Sequence, residues 1–276
     1  MNPVMISAPS LSSRAFSTLG CADLSLEQIL DLARRHQIDA VEIRGIDGTI
    51  KTPERLEELF ASPNDFKARF QNDPVRICAL DTSFRLAGNT DSDRATLLRY
   101  VPWVEAMGIP RLRVFDGSGL SEATGLSQAL DALSWWRGLR AQHGWQVDLM
   151  VETHSSLTNT PALLNFLSHA PADTSLLWDS HHTWRLGGES PEDTWRAIGS
   201  RVVHIHVKDS VSKPDGKNPY TYVPCGQGEF PMRALRHALI QDAYRGVVSL
   251  EWERLWHPEL PSLDHALSSA SIHNWW

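Results

Sequence analysis

Apolar and β-branched residues gather in eight short runs along the chain: Ala15–Leu19, Ala40–Ile43, Val75–Leu80, Arg111–Phe115, Val147–Glu152, Ser175–Asp179, Val202–Val207 and Val247–Glu251. Runs of this length with polar or glycine-containing flanks predict strands. Between them, apolar residues recur at helical spacing. Leu26, Ile29, Leu30, Leu32 and Ala33 make one stripe, opened by Ser25 and Gln28 at capping-box spacing. Leu56, Leu59 and Phe60 follow Pro53 near the start of a second helix. Further stripes lie at Leu97–Met107, Leu126–Leu139, Pro161–Leu167, Pro191–Ile198, Pro231–Ile240 and Leu263–Ser271. The first residues, MNPVMISAPSLS, show no period and read as an N-terminal extension over 1–12.

Strands that alternate with helices predict a parallel sheet, because each crossover helix returns the chain to the same end. Strand runs that are largely apolar suit a sheet covered by helices. A doubly wound sheet would carry the same pattern, but no G-x-G-x-x-G follows any strand run. The expected fold is therefore a (β/α)8 barrel, a TIM barrel, forming a single domain over 13–276. No linker rich in Gly, Pro or Ser divides it.

Composition narrows the function classes. With 42% apolar and 21% charged residues the chain can bury a core. A net charge of −7 argues against a sequence-independent nucleic-acid binder. No apolar run reaches a membrane span, and no signal segment opens the chain, so a cytoplasmic protein is expected. Three scattered cysteines suggest neither a disulfide framework nor a CxxC zinc site.

Four predicted strands end in polar residues: Glu152 in VDLMVETH, Asp179 in SLLWDSHH, His206 in VVHIHVKD and Glu251 in GVVSLEWE. Counting by twos sets Val151, Trp178, Val203 with Ile205, and Leu250 on the opposite, helix-covered face. All four polar side chains then point into the barrel mouth, where catalytic groups of such barrels collect. Three carboxylates and a histidine in an apolar cup need a compensating positive charge. One divalent metal ion supplies it, and the oxygen-rich donor set suits Mn²⁺, Mg²⁺, Co²⁺ or Zn²⁺. A salt-bridged network with Lys208, Arg185 or Arg254 is the metal-free alternative.

Taken in order, VETH, the D-x-x-H of DSHH with Asp179 and His182, HIHVKD and LEWE resemble the xylose-isomerase-like barrel superfamily. STLGCADLSLEQILDLA…IDAVEIRG and CGQGEFP extend the resemblance over nearly the whole chain. The resemblance implies a metal held by Glu152, Asp179, His206 and Glu251, with manganese first among the ions. It also implies a small carbohydrate substrate, touched by His182, and pairing of subunits into a homo-oligomer. The superfamily's endonucleases add histidines on strands two and three; VEIRG and CALDTS have none, which disfavours that branch.

Such a site supports proton abstraction next to a sugar carbonyl, through an enediolate that the metal stabilises. Glu152 and Glu251, on opposite flanks, would remove and return the proton, giving a sugar or sugar phosphate isomerase or epimerase. An inosose-dehydratase-like or keto-glycoside lyase uses the same enolisation and is the alternative. Substrate-binding candidates besides His182 are Lys208, His154 and Trp184, with Glu42 either binding hydroxyls or pairing with Arg44. Trp252 and Trp256 are further stacking candidates, and His204 is read as support beneath His206. Trp275 and Trp276 are read as a surface anchor or subunit contact. The loop Asp209–Gly228 is the expected lid or specificity element.

Overall fold

The computed structural model describes residues 13–276, so the expected extension over 1–12 lies outside the described residues. In chain order the strands are β1 (Ser13–Ser17), β2 (Ala40–Ile43), β3 (Arg76–Arg85), β4 (Arg111–Phe115), β5 (Asp148–Glu152), β6 (Ser175–Asp179) and β7 (Val202–Val207). After them come the two short strands β8 (Ser210–Val211) and β9 (Thr221–Tyr222), then β10 (Val247–Leu250). Strands β1 to β7 and β10 form a closed ring in the order β1-β10-β7-β6-β5-β4-β3-β2. Every pair in the ring is parallel, and β1 joins both β10 and β2. This is a single (β/α)8 barrel. β8 and β9 make an antiparallel hairpin outside it.

The ring is wrapped by helices whose apolar stripes face it. Helix Leu26–Arg35 buries Leu26, Ile29, Leu30, Leu32 and Ala33, and its capping box between Ser25 and Gln28 is formed. Two further helices escape the spacing pattern. Pro63–Phe70 is started by the Ser62 cap and Pro63, and Ser180–Arg185 is started by Asp179. The first packs Phe66 against Phe60 and Trp103 at 5.3 and 5.8 Å between ring centroids. Aromatic packing thus compensates for its weak stripe.

Inside the ring, Ala79, Met150 and Leu177 form one layer, and Ala15, Ala40 and Cys78 another. Two register shifts decide which residues enter. Val41 and Glu42 of β2 pair with Ile77 and Ala79, which makes Cys78 an extra residue. Likewise Leu176 and Leu177 of β6 pair with Val202 and His204, which makes Val203 an extra residue. Val203 therefore packs against the interior layer, not on the helix-covered face that strict alternation assigns it.

Strand limits move by a few residues. β1 stops at Ser17, whose side chain accepts from Leu19 N–H and turns the chain into a 3-10 segment, Thr18–Cys21. β3 runs on to Arg85 because Arg85 pairs with Phe115 of β4. The final tryptophans are a correction: Trp275 and Trp276 are 7% and 9% exposed and belong to the chain's own core. The Trp275 ring lies 6.1 Å from that of Phe230, in the segment after β9.

Candidate functional site

Glu152 ends β5, Asp179 ends β6, His206 lies one residue before the end of β7, and Glu251 follows β10. Parallel pairing in register brings these ends to one rim, and Glu251 N–H still bonds to Val207 O at 3.1 Å. Each of the four offers one donor atom, and these atoms all lie within 4.8 Å of one another. None of the four residues is more than 5% exposed. Asp179 also caps the helix that follows it, since its Oδ1 accepts from His181 and His182 N–H at 3.0 and 2.9 Å. That fixes the carboxylate and leaves Oδ2 facing the cluster.

The electrostatics favour a cation at this point. Glu152 Oε2, Asp179 Oδ2 and His206 Nδ1 are buried and meet charged groups, Arg113 Nε, Lys208 Nζ and Glu251 at 3.1, 2.9 and 3.3 Å, none in hydrogen-bond geometry, a cost that a cation among them would relieve. Burial pushes the Glu152 carboxyl up to about 8, with Arg113 opposing and the Glu251 charge adding to the rise. Glu251 goes the other way. Burial raises it, but His206 and Lys208 more than offset that and hold it well below the usual carboxylate range. The donor chemistry therefore fits a divalent ion of borderline hardness.

Protein cations share part of the charge. Lys208 is fully buried, with Nζ 2.5 Å from Glu251 Oε2, 2.9 Å from Asp179 Oδ2 and 2.7 Å from Glu253 Oε1. Arg113 on β4 places Nε 3.1 Å from Glu152 Oε2 and Nη2 3.7 Å from Asp81. Neither of the other cations considered for this network takes part. Arg185 goes to Glu229, Ser210 and Ser212, and Arg254 faces Asp23.

Glu42 requires a correction. It is fully buried below the mouth, not open to a substrate hydroxyl, and it does not pair with Arg44. Its Oε1 lies 2.8 Å from His206 Nε2 and its Oε2 lies 2.6 Å from His204 Nε2. The reason is register: Glu42 shares the inward face with both histidines, and burial makes their ring nitrogens its cheapest partners. His204 thus supports the site from beneath.

The other predicted residues separate by position. His182 is 7% exposed, with Nδ1 3.0 Å from Thr153 O and 3.1 Å from Asp179 Oδ2. His154 is exposed in the mouth, its ring 5.1 Å from that of His182 and 4.6 Å from Phe115. Trp184 is half-buried under the Arg185 guanidinium, which sits 3.9 Å from its ring, and beside Phe230. Trp252 is fully buried and donates to Pro261 O, so it has no face to offer a ligand. Trp256 is 48% exposed.

The Asp209–Gly228 segment is built around one carboxylate. Asp209 accepts from the backbone N–H groups of Ser210, Gly226, Gly228 and Phe230, all at 2.9 or 3.0 Å. Tyr220 and Tyr222 from the hairpin pack on His181, and Lys217 donates to Trp256 O, roofing the β6–β7 side. Asp116 plays a matching part on the other side, accepting from Ser155, Ser156 and Leu157 N–H.

Arg113 and Asp81 are the site residues that sequence reasoning underrated. The signal was present: in RLRVF, Leu112 and Val114 face the helices, so Arg113 must point inward. An arginine on the inner face of a barrel strand demands an acid nearby.

Among curated proteins, none matches this sequence. Solved structures do match. A probable 3-DHS dehydratase, AsbF, from Bacillus anthracis has a TM-score of 0.75 at 15% identity, covering 95% of this chain and 98% of that one. The IolI protein, with a zinc atom bound, has a TM-score of 0.73 at 19% identity, covering 95% and 96%. A 3-keto-D-glucoside 4-epimerase, YcjR, from E. coli has 0.66 at 12% identity, covering 95% and 99%. The family profile described as xylose isomerase-like TIM barrel matches residues 30–270. With that match over a closed eight-stranded ring, the chain belongs to the xylose isomerase-like TIM barrel family.

Proposed function

We propose that this chain is a divalent-metal-dependent isomerase or epimerase of a sugar or sugar phosphate, with Glu152, Asp179, His206 and Glu251 holding the ion. The observation that carries this reading is the convergence of four donor atoms within 4.8 Å, on three carboxylates and one imidazole buried at successive strand ends. A cation bound there would neutralise the carboxylates and withdraw charge from a carbonyl set against it. Mn²⁺ is the ion proposed first; Mg²⁺, Co²⁺ and Zn²⁺ match the same donors.

The chain's own groups divide the proton work. Glu251, kept ionised by His206 and Lys208, takes the proton from the carbon beside the carbonyl. Glu152 returns one from the far flank, since β5 and β10 are separated by β6 and β7 in the ring. Two carboxylates on opposite flanks of the substrate are suited to base and acid roles. Return to the same carbon inverts a centre; return to the neighbouring carbon exchanges aldose and ketose. His182 Nδ1 is committed to Thr153 O, which leaves Nε2 to accept from a substrate hydroxyl. Lys208 orients Glu251 and balances developing negative charge, and Trp184 is assigned to the sugar's apolar face.

A dehydratase reading draws on one further observation, the exposed His154 ring beside His182. Desolvation within the mouth and the neighbouring His182 lower that imidazole to about 3, so it is neutral and can hydrogen-bond a leaving hydroxyl through its N–H. Incubation of the metal-loaded protein with ketoses in D₂O separates the readings. Deuterium in an intact sugar supports proton exchange, loss of water supports the dehydratase, and neither outcome with any ketose overturns both.

A further inference from the structure

One buried cation at the mouth has no use in the proton chemistry. Arg44 stands in the bend just past the end of β2 at Ile43, and the charges of Arg113, Asp81 and Glu152 act on its guanidinium, which places it at the mouth. It is 5% exposed, and its Nη2 donates to Ser83 Oγ at 3.0 Å. Its Nη1 is buried with no hydrogen-bond partner, and no carboxylate of the described residues forms an ion pair with it within 4.0 Å.

Arg113 supplies the contrast. Its guanidinium contacts Glu152, Asp81 and the Thr82 carbonyl and lies over the Phe115 ring. Its like charge acts on Arg44, adding to the burden of burial, and Asp81 and Glu152 offset part of that from beyond ion-pair distance. Asp81, on the strand between them, gives its ion-pair contact to Arg113. A guanidinium cannot escape by losing its proton, and a buried one without a counter-ion is costly. Ser83 is exposed and marks the side from which a ligand reaches the pair. In the ring, β2 stands opposite β6, which carries Asp179, so Arg44 lies across the mouth from the metal-binding quartet.

We propose that Arg44 and Ser83 form a recognition subsite for an anionic group, a carboxylate or a phosphate, so that the substrate is a sugar acid or sugar phosphate rather than a neutral sugar. The substrate spans the mouth, its carbonyl at the quartet and its anion at Arg44, where a planar guanidinium reads either oxyanion. This assignment rests on the proposed proton-transfer site for the other end of the substrate.

The test is calorimetric binding to the Mn²⁺-loaded protein of matched pairs: D-fructose with D-fructose 6-phosphate, and D-sorbitol with D-gluconate. A charged member is expected to bind at least about tenfold tighter than its neutral twin. In Arg44→Met that advantage falls to about one, while the neutral twin's affinity is unchanged; Arg44→Lys retains part of it. Preference for only the phosphate or only the carboxylate member supports the subsite and names its anion. Equal binding of twins by the wild type, no binding of any member, or an advantage that survives Arg44→Met overturns it. If Arg44→Met does not fold, the wild-type comparison and Arg44→Lys decide. The two proposals fail separately. Full deuterium exchange with neutral ketoses overturns the anion subsite alone, whereas Arg44-dependent binding of the charged twin without any exchange overturns the proton-transfer reading.

Discussion

Glu42 and His206 meet inside the barrel, Oε1 to Nε2 at 2.8 Å, while the other ring nitrogen of His206 lies 3.3 Å from Glu251. One nitrogen is thus engaged from below, and the other is left for the cluster above. A carboxylate in that position fixes the imidazole's orientation and raises the basicity of the free nitrogen.

Glu42→Gln is therefore expected to weaken metal retention by about 10- to 100-fold while the barrel still folds. Competition of the variant against a colorimetric chelator measures this directly. An unchanged affinity would show that Glu42 does nothing for His206 as a ligand.

Stability of the metal-free protein has a defined pH slope at Glu152. Its carboxyl is raised from the ordinary 4.5 to about 8, mainly by burial. Between those values the folded chain keeps a proton that the unfolded chain has released. The contribution is complete below 4.5 and is lost as pH rises through 8. Thermal midpoints of chelator-treated protein should fall across about pH 5 to 9, more steeply for wild type than for Glu152→Gln. Identical slopes would refute the shift.

Removing Arg113 leaves two buried acids, Glu152 and Asp81, without their shared cation. Above about pH 8, where both acids are ionised, Arg113→Met should cost about 3–5 kcal/mol in denaturant unfolding of the metal-free protein, and less at about pH 6, where burial keeps both protonated. Saturating metal should recover part of that loss.

Asp209 holds the Ser210–Phe230 segment by four backbone N–H groups. Asp209→Ala should destabilise by about 2–4 kcal/mol, since several charge-assisted bonds go at once. It should also speed tryptic cleavage after Lys217, since Lys213 is followed by Pro214 and resists trypsin. A loop that resists trypsin as well as the wild type would place the latch elsewhere.

Two glycines make a paired test of packing. A Cβ on Gly187 would sit 2.1 Å from Thr158 O and 2.6 Å from Thr183 O, both backbone, whereas on Gly138 it meets nothing within 4 Å. Gly187→Ala should cost about 1–3 kcal/mol. Gly138→Ala, inside helix Ala123–His143, should gain about 0.5–1 kcal/mol. Thermal melts of the two variants should move in opposite directions.

The amino-acid sequence determined much on its own. Short apolar runs alternating with amphipathic stripes specify strands and helices locally, because side-chain direction follows the backbone period. For the same reason the inward aim of Glu152, Asp179, His206 and Glu251 was legible from parity alone. Parity failed at Val203 and was silent on Cys78, because an inserted strand residue shifts the register and shows only in the pairing. The partners of Glu42, the shared use of Arg113 and the lack of a carboxylate partner for Arg44 among the described residues were decided by the ring closing. Closure sets residues far apart in the chain at contact distance in a dry interior. There each buried charge must take whichever partner the neighbouring strands bring, and a sequence read one strand at a time does not say which that is.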